Sequence, residues 1–289
     1  MEKHLLSFGH GYSARALTPL LLAQGFAITG TTRSVEKRSA LKATGITPVI
    51  WPGGDLSEAL KRATHLLISA GPSESGDPVL ADLRDQITVH APNLEWVGYL
   101  STTGVYGDTG GDWVDEASPL SPATKRGQMR VAAEAAWQSV PGLPLHIFRL
   151  AGIYGPGRGP FSKVRAGTAR RIIKAGQVFS RIHVEDIAQV LAASIARPNP
   201  GAIYNLCDDD PAPPQDVIAH AAELLGLPLP PEVDFDTAEM TPMARSFYAE
   251  SKRVRNELIK RELGVKLRYA DYRSGLASLL ASERASSKC

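Results

Sequence analysis

Cysteine is nearly absent, with only Cys207 and Cys289 in 289 residues. Two cysteines cannot build a disulfide framework, and no CxxC or Cys/His spacing fits zinc. The expectation is a reducing, cytoplasmic setting and no metal. Excess charge is missing as well: Lys+Arg 32 against Asp+Glu 30 leaves +2. That balance offers no broad basic surface to nucleic acid or to an anionic membrane. Long apolar runs are missing too. The stretch from Ala16 to Ile28 is broken by Thr18, Pro19, Gln24 and Gly25, and no signal-peptide cleavage pattern follows it. No internal repeat is present. What remains is a globular composition, 43% hydrophobic and 21% charged, in a chain long enough for an α/β domain with an appended lobe.

Short apolar runs alternate with helical spacing through the first half. Strands are expected at Lys3–Phe8, Phe26–Thr29, Pro48–Trp51, His65–Ser69, Trp96–Ser101 and Leu145–Arg149. Helices are expected at Tyr12–Gln24, Glu36–Thr44, Leu56–Ala63, Pro78–His90 and Ala123–Gln138. This alternation implies a parallel, doubly wound α/β sheet of Rossmann type. The rhythm changes after Arg149. Arg171–Arg181 reads as a hairpin turning at Ala175-Gly176, Glu185–Ala196 as a helix and Ala202–Leu206 as a strand. Gln215–Leu225, Ser251–Leu263 and Ala270–Ala281 read as helices, with Leu227–Asp236 irregular. The expected organisation is a Rossmann domain over 1–155, to which 178–206 returns. A smaller mixed substrate lobe is built from 156–177 and 207–281, and 282–289 forms a frayed polar tail.

Gly9-His10-Gly11-Tyr12-Ser13-Ala14 is G-x-G-x-x-A between the first strand and the first helix. Gly9 permits the turn, Gly11 lets backbone approach a pyrophosphate, and Ala14 allows close helix–strand packing. The helix N-terminus supplies N–H donors. In this context the pattern points to a dinucleotide rather than a structural turn. An acid that would read an NAD ribose is missing from Gly30-Thr31-Thr32-Arg33-Ser34. Arg33 instead offers a donor fork for a 2′-phosphate, with Ser34, Lys37 and Arg38 nearby, so NADP is preferred to NAD.

Three further segments follow in order: Ser101-Thr102-Thr103-Gly104-Val105-Tyr106-Gly107, Arg149-Leu150-Ala151-Gly152-Ile153-Tyr154-Gly155-Pro156-Gly157, and Arg181-Ile182-His183-Val184-Glu185-Asp186-Ile187-Ala188. With the glycine loop they resemble the extended short-chain dehydrogenase/reductase superfamily in its NAD(P)-dependent epimerase/dehydratase branch. The resemblance runs from about Lys3 to Leu206. It implies a Rossmann domain, a small substrate lobe, often a nucleotide-sugar substrate, and a possible homodimer through Rossmann-domain helices. The G-x-G-x-x-A spacing departs from the G-x-x-G-x-x-G usual in extended members and resembles an atypical subgroup.

The family uses a Ser or Thr, a Tyr, and a Lys four residues after the Tyr. The resemblance puts Thr102 in the first role. On the helix, Glu134 stands where family members carry a Glu four residues after the Lys. That register places Arg130 at the Lys position and Arg126 at the Tyr position. A guanidinium does not give up its proton, so Arg126 cannot act as the phenol does. Residues four apart share a helix face, so two cations would point at one place. The other reading of Arg126 and Arg130 is a solvated basic face. Tyr106, Tyr154 and His183 are substitute acid–base candidates, each of which also reads as a packing residue. Asp208, Asp209 and Asp210 lack metal-loop spacing. Lys252, Arg253 and Arg255, read as the start of a helix, are candidates for a substrate phosphate or for a solvated face.

The cofactor set on this reading is Gly9, Gly11, Tyr12, Ser13, Ala14, Thr32, Arg33, Ser34, Ala70, Gly71, Ser101, Arg130, Ala151, Gly152 and Ile153. The catalytic set is Thr102, Tyr106, Arg126 and Arg130. The expected activity is that of an NAD(P)-dependent oxidoreductase, epimerase or dehydratase acting on a small polar or anionic molecule. The alternative is a non-catalytic dinucleotide-binding redox sensor or partner-binding module.

Overall fold

A computed structural model describes residues 2–286. The first half alternates strand and helix: β1 His4–Phe8, α1 Tyr12–Leu22, β2 Ala27–Thr32, α2 Glu36–Ala43, β3 Thr47–Ile50, α3 Ser57–Arg62, β4 His65–Ile68, α4 Pro78–His90 and β5 Trp96–Thr102. Then come β6 Trp113–Val114, α5 Lys125–Gln138, β7 Leu145–Leu150, β8 Gly152–Tyr154, α6 Phe161–Arg165, β9 Arg171–Ile173, β10 Arg181–His183, α7 Val184–Ala196 and β11 Ile203–Leu206. The last stretch holds α8 Pro214–Leu225, β12 Glu232–Asp234, α9 Pro242–Phe247, β13 Arg253–Val254, α10 Glu257–Leu263 and α11 Tyr272–Ser286.

Seven strands form one sheet in the order β11-β7-β5-β4-β1-β2-β3, with every pair parallel. The doubly wound parallel sheet expected from the alternation is therefore the one that forms. Its strands are apolar on both faces because helices cover both. Leu5, Leu67 and Phe148 pack toward α1, α7 and α10. Their neighbours Leu6, Leu66 and Ile147 pack toward α3, α4 and α5. This is the period-two alternation of a strand. Helix starts follow their sequence signals: Asp77 Oδ1 accepts from Val79 N at 2.9 Å and Leu80 N at 3.1 Å, with Pro78 in the first turn of α4. The chain leaves β1 toward β2 and β3, then returns to place β4 on the other side of β1. The crevice at the C-terminal ends of β1 and β4 is where such sheets bind ligands.

A third apolar cluster joins Tyr154, α6, α8 and α11. The hairpin expected over Arg171–Arg181 does not form. β9 pairs in parallel with β12, and β10 pairs in parallel with β8. The turn is there, with Gln177 N donating to Lys174 O at 3.2 Å. Its arms splay because 248–251 lies against them: Lys174 Nζ donates to Tyr248 O, Gln177 Nε2 to Glu250 O, and Val178 N to Ser251 Oγ. The segment expected to be irregular, Leu227–Asp236, contains β12. The helix expected from Ser251 starts only at Glu257. Before it, Ser251 N, Arg253 N and Arg255 N donate to Asp108 Oδ1, Asp112 O and Val114 O. These distant acceptors hold the chain extended. The tail does not fray at Ser282: α11 continues to Ser286, and Glu283 pairs with Arg165 at 2.5 Å. Cys289 lies outside the described residues. No described helix is long and apolar enough to cross a membrane.

Candidate functional site

Gly9 turns with φ 71°, and a Cβ there would come within 2.9 Å of Ala70 N, so only glycine fits. The loop is tied to β2, with Gly9 N donating to Thr31 Oγ1 at 2.8 Å and His10 N to Thr31 O at 2.9 Å. The His10 ring is buried against Thr18 Oγ1 at 3.0 Å, and burial holds its pKa down to about 4. Gly11 differs from Gly9: an added Cβ would meet only Gly9 O, at 3.5 Å. Its open side faces a cavity of about 800 Å³. No side chain caps the N-terminus of α1, which leaves its first-turn N–H groups toward that space. Ala14 is buried beneath them.

The cavity brings together Gly9, Gly11, Tyr12 and Ser13 from the loop, Ser101 and Thr102 from β5, Arg126 and Arg130 from α5, and Ala151, Gly152 and Ile153 after β7. Other expected positions lie outside its walls. Ala70 packs behind Gly9, and Gly71 lies against Arg130, whose Nη2 would be 3.4 Å from an added Cβ. Thr32, Arg33 and Ser34 sit at the end of β2. Arg33 is exposed, with no hydrogen bond or ion pair among the described residues. Ser34 Oγ is engaged by Glu36 Oε2 at 2.5 Å, and Thr32 Oγ1 accepts from Ser34 N at 3.2 Å. Glu36 thus brings an acid to the end of β2 from the next helix, two residues beyond the segment that lacks one.

The register of α5 is set by its buried end. Glu134 and Arg149 pair at 2.8 Å, with side chains 3% and 4% exposed, and Ser101 Oγ donates to the same carboxylate. Counting back in fours puts Arg130 and Arg126 on one face. Arg130 is not a solvated cation: Nη1 donates to Leu100 O at 2.7 Å and to Tyr99 OH at 3.0 Å. Arg126 is exposed, with its guanidinium 4.8 Å from the Phe247 ring of α9. Thr102 Oγ1 accepts from Gly104 N at 3.1 Å, a bond that does not use its own proton.

Tyr106 is removed from the catalytic set by its position. It is 2% exposed beneath the floor, donating to Asn205 Oδ1 at 2.7 Å and accepting from Arg149 Nη1 at 3.0 Å. Burial pushes its pKa to about 12. His183 is wedged between the rings of Tyr154 and Tyr269, with its pKa lowered by burial to about 4. Tyr154 reaches the cavity edge, but its hydroxyl is raised above the ordinary phenol range, first by burial and then by Asp208. Asp209 and Asp210 pair with Lys260 at 2.5 Å and Arg273 at 2.6 Å.

Of the late basic run only Lys252 lines the cavity. Arg253 turns to Gly111 O, and Arg255 stacks on Trp113 at 4.9 Å. Glu250 and Val254 line it with Lys252, one face of an extended segment. The spacing i, i+2, i+4 carries that signal, but a helical reading hides it. Arg158 and Arg181 complete the charged lining.

The chain has relatives of known structure. No protein-family model matches the chain. A conserved protein of unknown function from Silicibacter pomeroyi DSS has a solved structure that is 65% identical, covering 97% of this chain and 99% of that one, with TM-score 0.94. A protein from Methylobacillus flagellatus, provisionally assigned as an NAD-dependent epimerase/dehydratase, is 26% identical over 98% and 99%, with TM-score 0.68. Protein YeeZ of Escherichia coli K12 is 29% identical over 243 residues, 79% of this chain and 86% of its own length. At 18% identity, the human epimerase family protein SDR39U1 was solved with NADPH (TM-score 0.73, covering 96% and 99%) and the UDP-glucose 4-epimerase of Bifidobacterium longum with NAD+ and UDP (TM-score 0.73, covering 98% and 98%). The chain has the fold of extended short-chain dehydrogenase/reductase-like proteins and is similar to members of the NAD(P)-dependent epimerase/dehydratase type. By its 65% identity it belongs to one family with the Silicibacter protein.

Proposed function

We propose that the protein binds NADP(H) in the crevice at β1 and β4 and transforms an anionic substrate in the adjoining cavity, without a catalytic tyrosine on α5. The observation that carries this is the arginine pair. Arg130 and Arg126 occupy the cavity face of α5, in the register fixed by the buried Glu134–Arg149 pair. The loop fits a dinucleotide because the space beside Gly11 and the uncapped start of α1 suit a pyrophosphate. Arg33 is available for a 2′-phosphate. A bound cofactor supplies hydride transfer at its nicotinamide.

The chain's own part is electrostatic. Arg130, held on β5, contacts the cofactor's ribose or phosphate. Arg126 and Thr102 bind the substrate and stabilise charge developing on its oxygen. The lobe residues that close the cavity set which molecule enters. NADPH fluorescence titration of Arg130→Ala and Arg126→Ala tests the division of labour. Arg130→Ala should weaken NADPH about tenfold, and Arg126→Ala should change it less than twofold while lowering turnover of an anionic carbonyl compound. Full NADPH affinity and full turnover in both variants would remove the basis for the proposal. Tight NADPH binding with no turnover of any such compound would favour a redox sensor.

A further inference from the structure

Glu250 and Lys252 reach the cavity from a segment that belongs to neither the glycine loop nor α5. Their side chains are each 11% exposed and pair at 2.7 Å. Lys252 Nζ also donates to Gly107 O at 2.7 Å. An ammonium has three N–H donors, so one remains beyond these two bonds. Glu250 is used on one oxygen only. Oε2 holds Lys252, while Oε1 is buried with no hydrogen-bond partner among the described residues. Buried carboxylate oxygens in structural ion pairs are ordinarily satisfied, and an orphaned acceptor calls for a reason. Thr102 Oγ1 and Glu250 Oε2 flank the same point beside Gly104, at 3.5 and 4.0 Å from where its Cβ would stand. Both residues line the cavity, and among the described residues Glu250 is its one acidic lining residue.

The pair is also rigidly placed. Between its members, Ser251 points the other way. Its N donates to Asp108 Oδ1 at 2.8 Å, its Oγ donates to Gly176 O at 2.9 Å, and its carbonyl accepts from Thr109 N and Gly111 N. Gln177 Nε2 holds the Glu250 carbonyl at 2.6 Å. The segment is anchored from two others, 107–111 and 176–177.

We propose that Glu250 and Lys252 are the proton-transfer pair of this site, supplied by the lobe where α5 offers only arginines. The inference rests on reading the cavity as a substrate site. The Glu250 carboxylate, whose Oε2 stands beside Thr102 at the cavity wall, takes the proton of a substrate hydroxyl and becomes the acid. The electron pair of the broken O–H bond stays on the substrate oxygen, where the remaining Lys252 N–H and the Thr102 hydroxyl donate to it. The reverse step returns the same proton.

Glycidol phosphate, an anionic epoxide, tests this without knowledge of the natural substrate. A carboxylate oxygen bonds to the epoxide carbon, the ring C–O bond breaks, and its oxygen takes a proton from the neighbouring acid. All atoms of the probe stay on the protein as a hydroxyester. Peptide mass spectrometry of the full-length protein should find Glu250 labelled at least tenfold faster than any other carboxylate. Glu250→Gln should end that labelling. Lys252→Met should slow it about tenfold, with Lys252→Arg restoring part of the rate and serving if the methionine variant fails to fold. Labelling of Glu250 no faster than of surface acids, or a rate indifferent to Lys252, overturns the pair. Neutral glycidol reacting at Glu250 as fast as its phosphate, or an Arg126→Ala rate equal to the parent's, instead overturns the anionic-substrate reading and leaves the pair standing.

Discussion

Gly9 and Gly11 are the same residue type two positions apart, and substitution should treat them differently. At Gly9 a side chain strikes backbone; at Gly11 it enters open space. Gly11→Val should therefore fold with an unchanged melting temperature and lose NADPH binding, read by fluorescence titration; undiminished binding would place the cofactor elsewhere. In the same assay Arg33→Ala should weaken NADPH by about 1.5–3 kcal/mol, the scale of hydrogen bonds to a charged group, and leave NADH nearly unchanged. Equal affinities of the parent for the two cofactors would count against the 2′-phosphate role. At this scale the glycine loop was legible because turn chemistry is local. Glu36 was not, because its approach to Ser34 depends on where α2 begins. For Tyr106, a strand-end position does not say which way a ring turns. Here it turned inward to Arg149 and Asn205.

Among the elements, α5 repays its sequence reading most. Its register follows from Glu134, whose buried pairing with Arg149 fixes where Arg130 and Arg126 face. Removing one partner of a buried pair leaves an uncompensated charge, so Glu134→Ala should cost about 3–5 kcal/mol in chemical denaturation. A loss under 1 kcal/mol would mean that the pair does not hold the helix. The seven sheet strands were legible because both faces are covered, and each therefore reads as a short apolar run. The segment from Ser251 was not. A helix and an extended chain can share a polar sequence, and the acceptors that decide the matter come from 108–114, more than a hundred positions earlier. The hairpin failed for a related reason, since the backbone groups its arms would have exchanged are taken by β12, Ala212 and Ser251.

For the molecule as a whole, the buried imidazoles set a pH dependence. Burial holds His10, His65 and His183 down to about 4, against an ordinary value near 6.5. Below about 6.5 the unfolded chain takes up protons that these folded imidazoles refuse. Their contribution to stability is therefore complete above that pH and is lost as pH falls toward 4. Within the window each contributes a slope of about 1.4 kcal/mol per pH unit. Denaturation curves of the parent and His65→Phe, measured from pH 7 to 4, should diverge by that slope; parallel curves would show that His65 titrates normally. Finally, the wall that carries Glu250 and Lys252 is stitched to loops at 107–112 and 174–180. Synthesis runs from the N- to the C-terminus, so the loop at Gly9–Ser13 leaves the ribosome well before this wall does. The sheet and its glycine loop therefore precede the last wall of the cavity, which is completed only once 248–254 has been made.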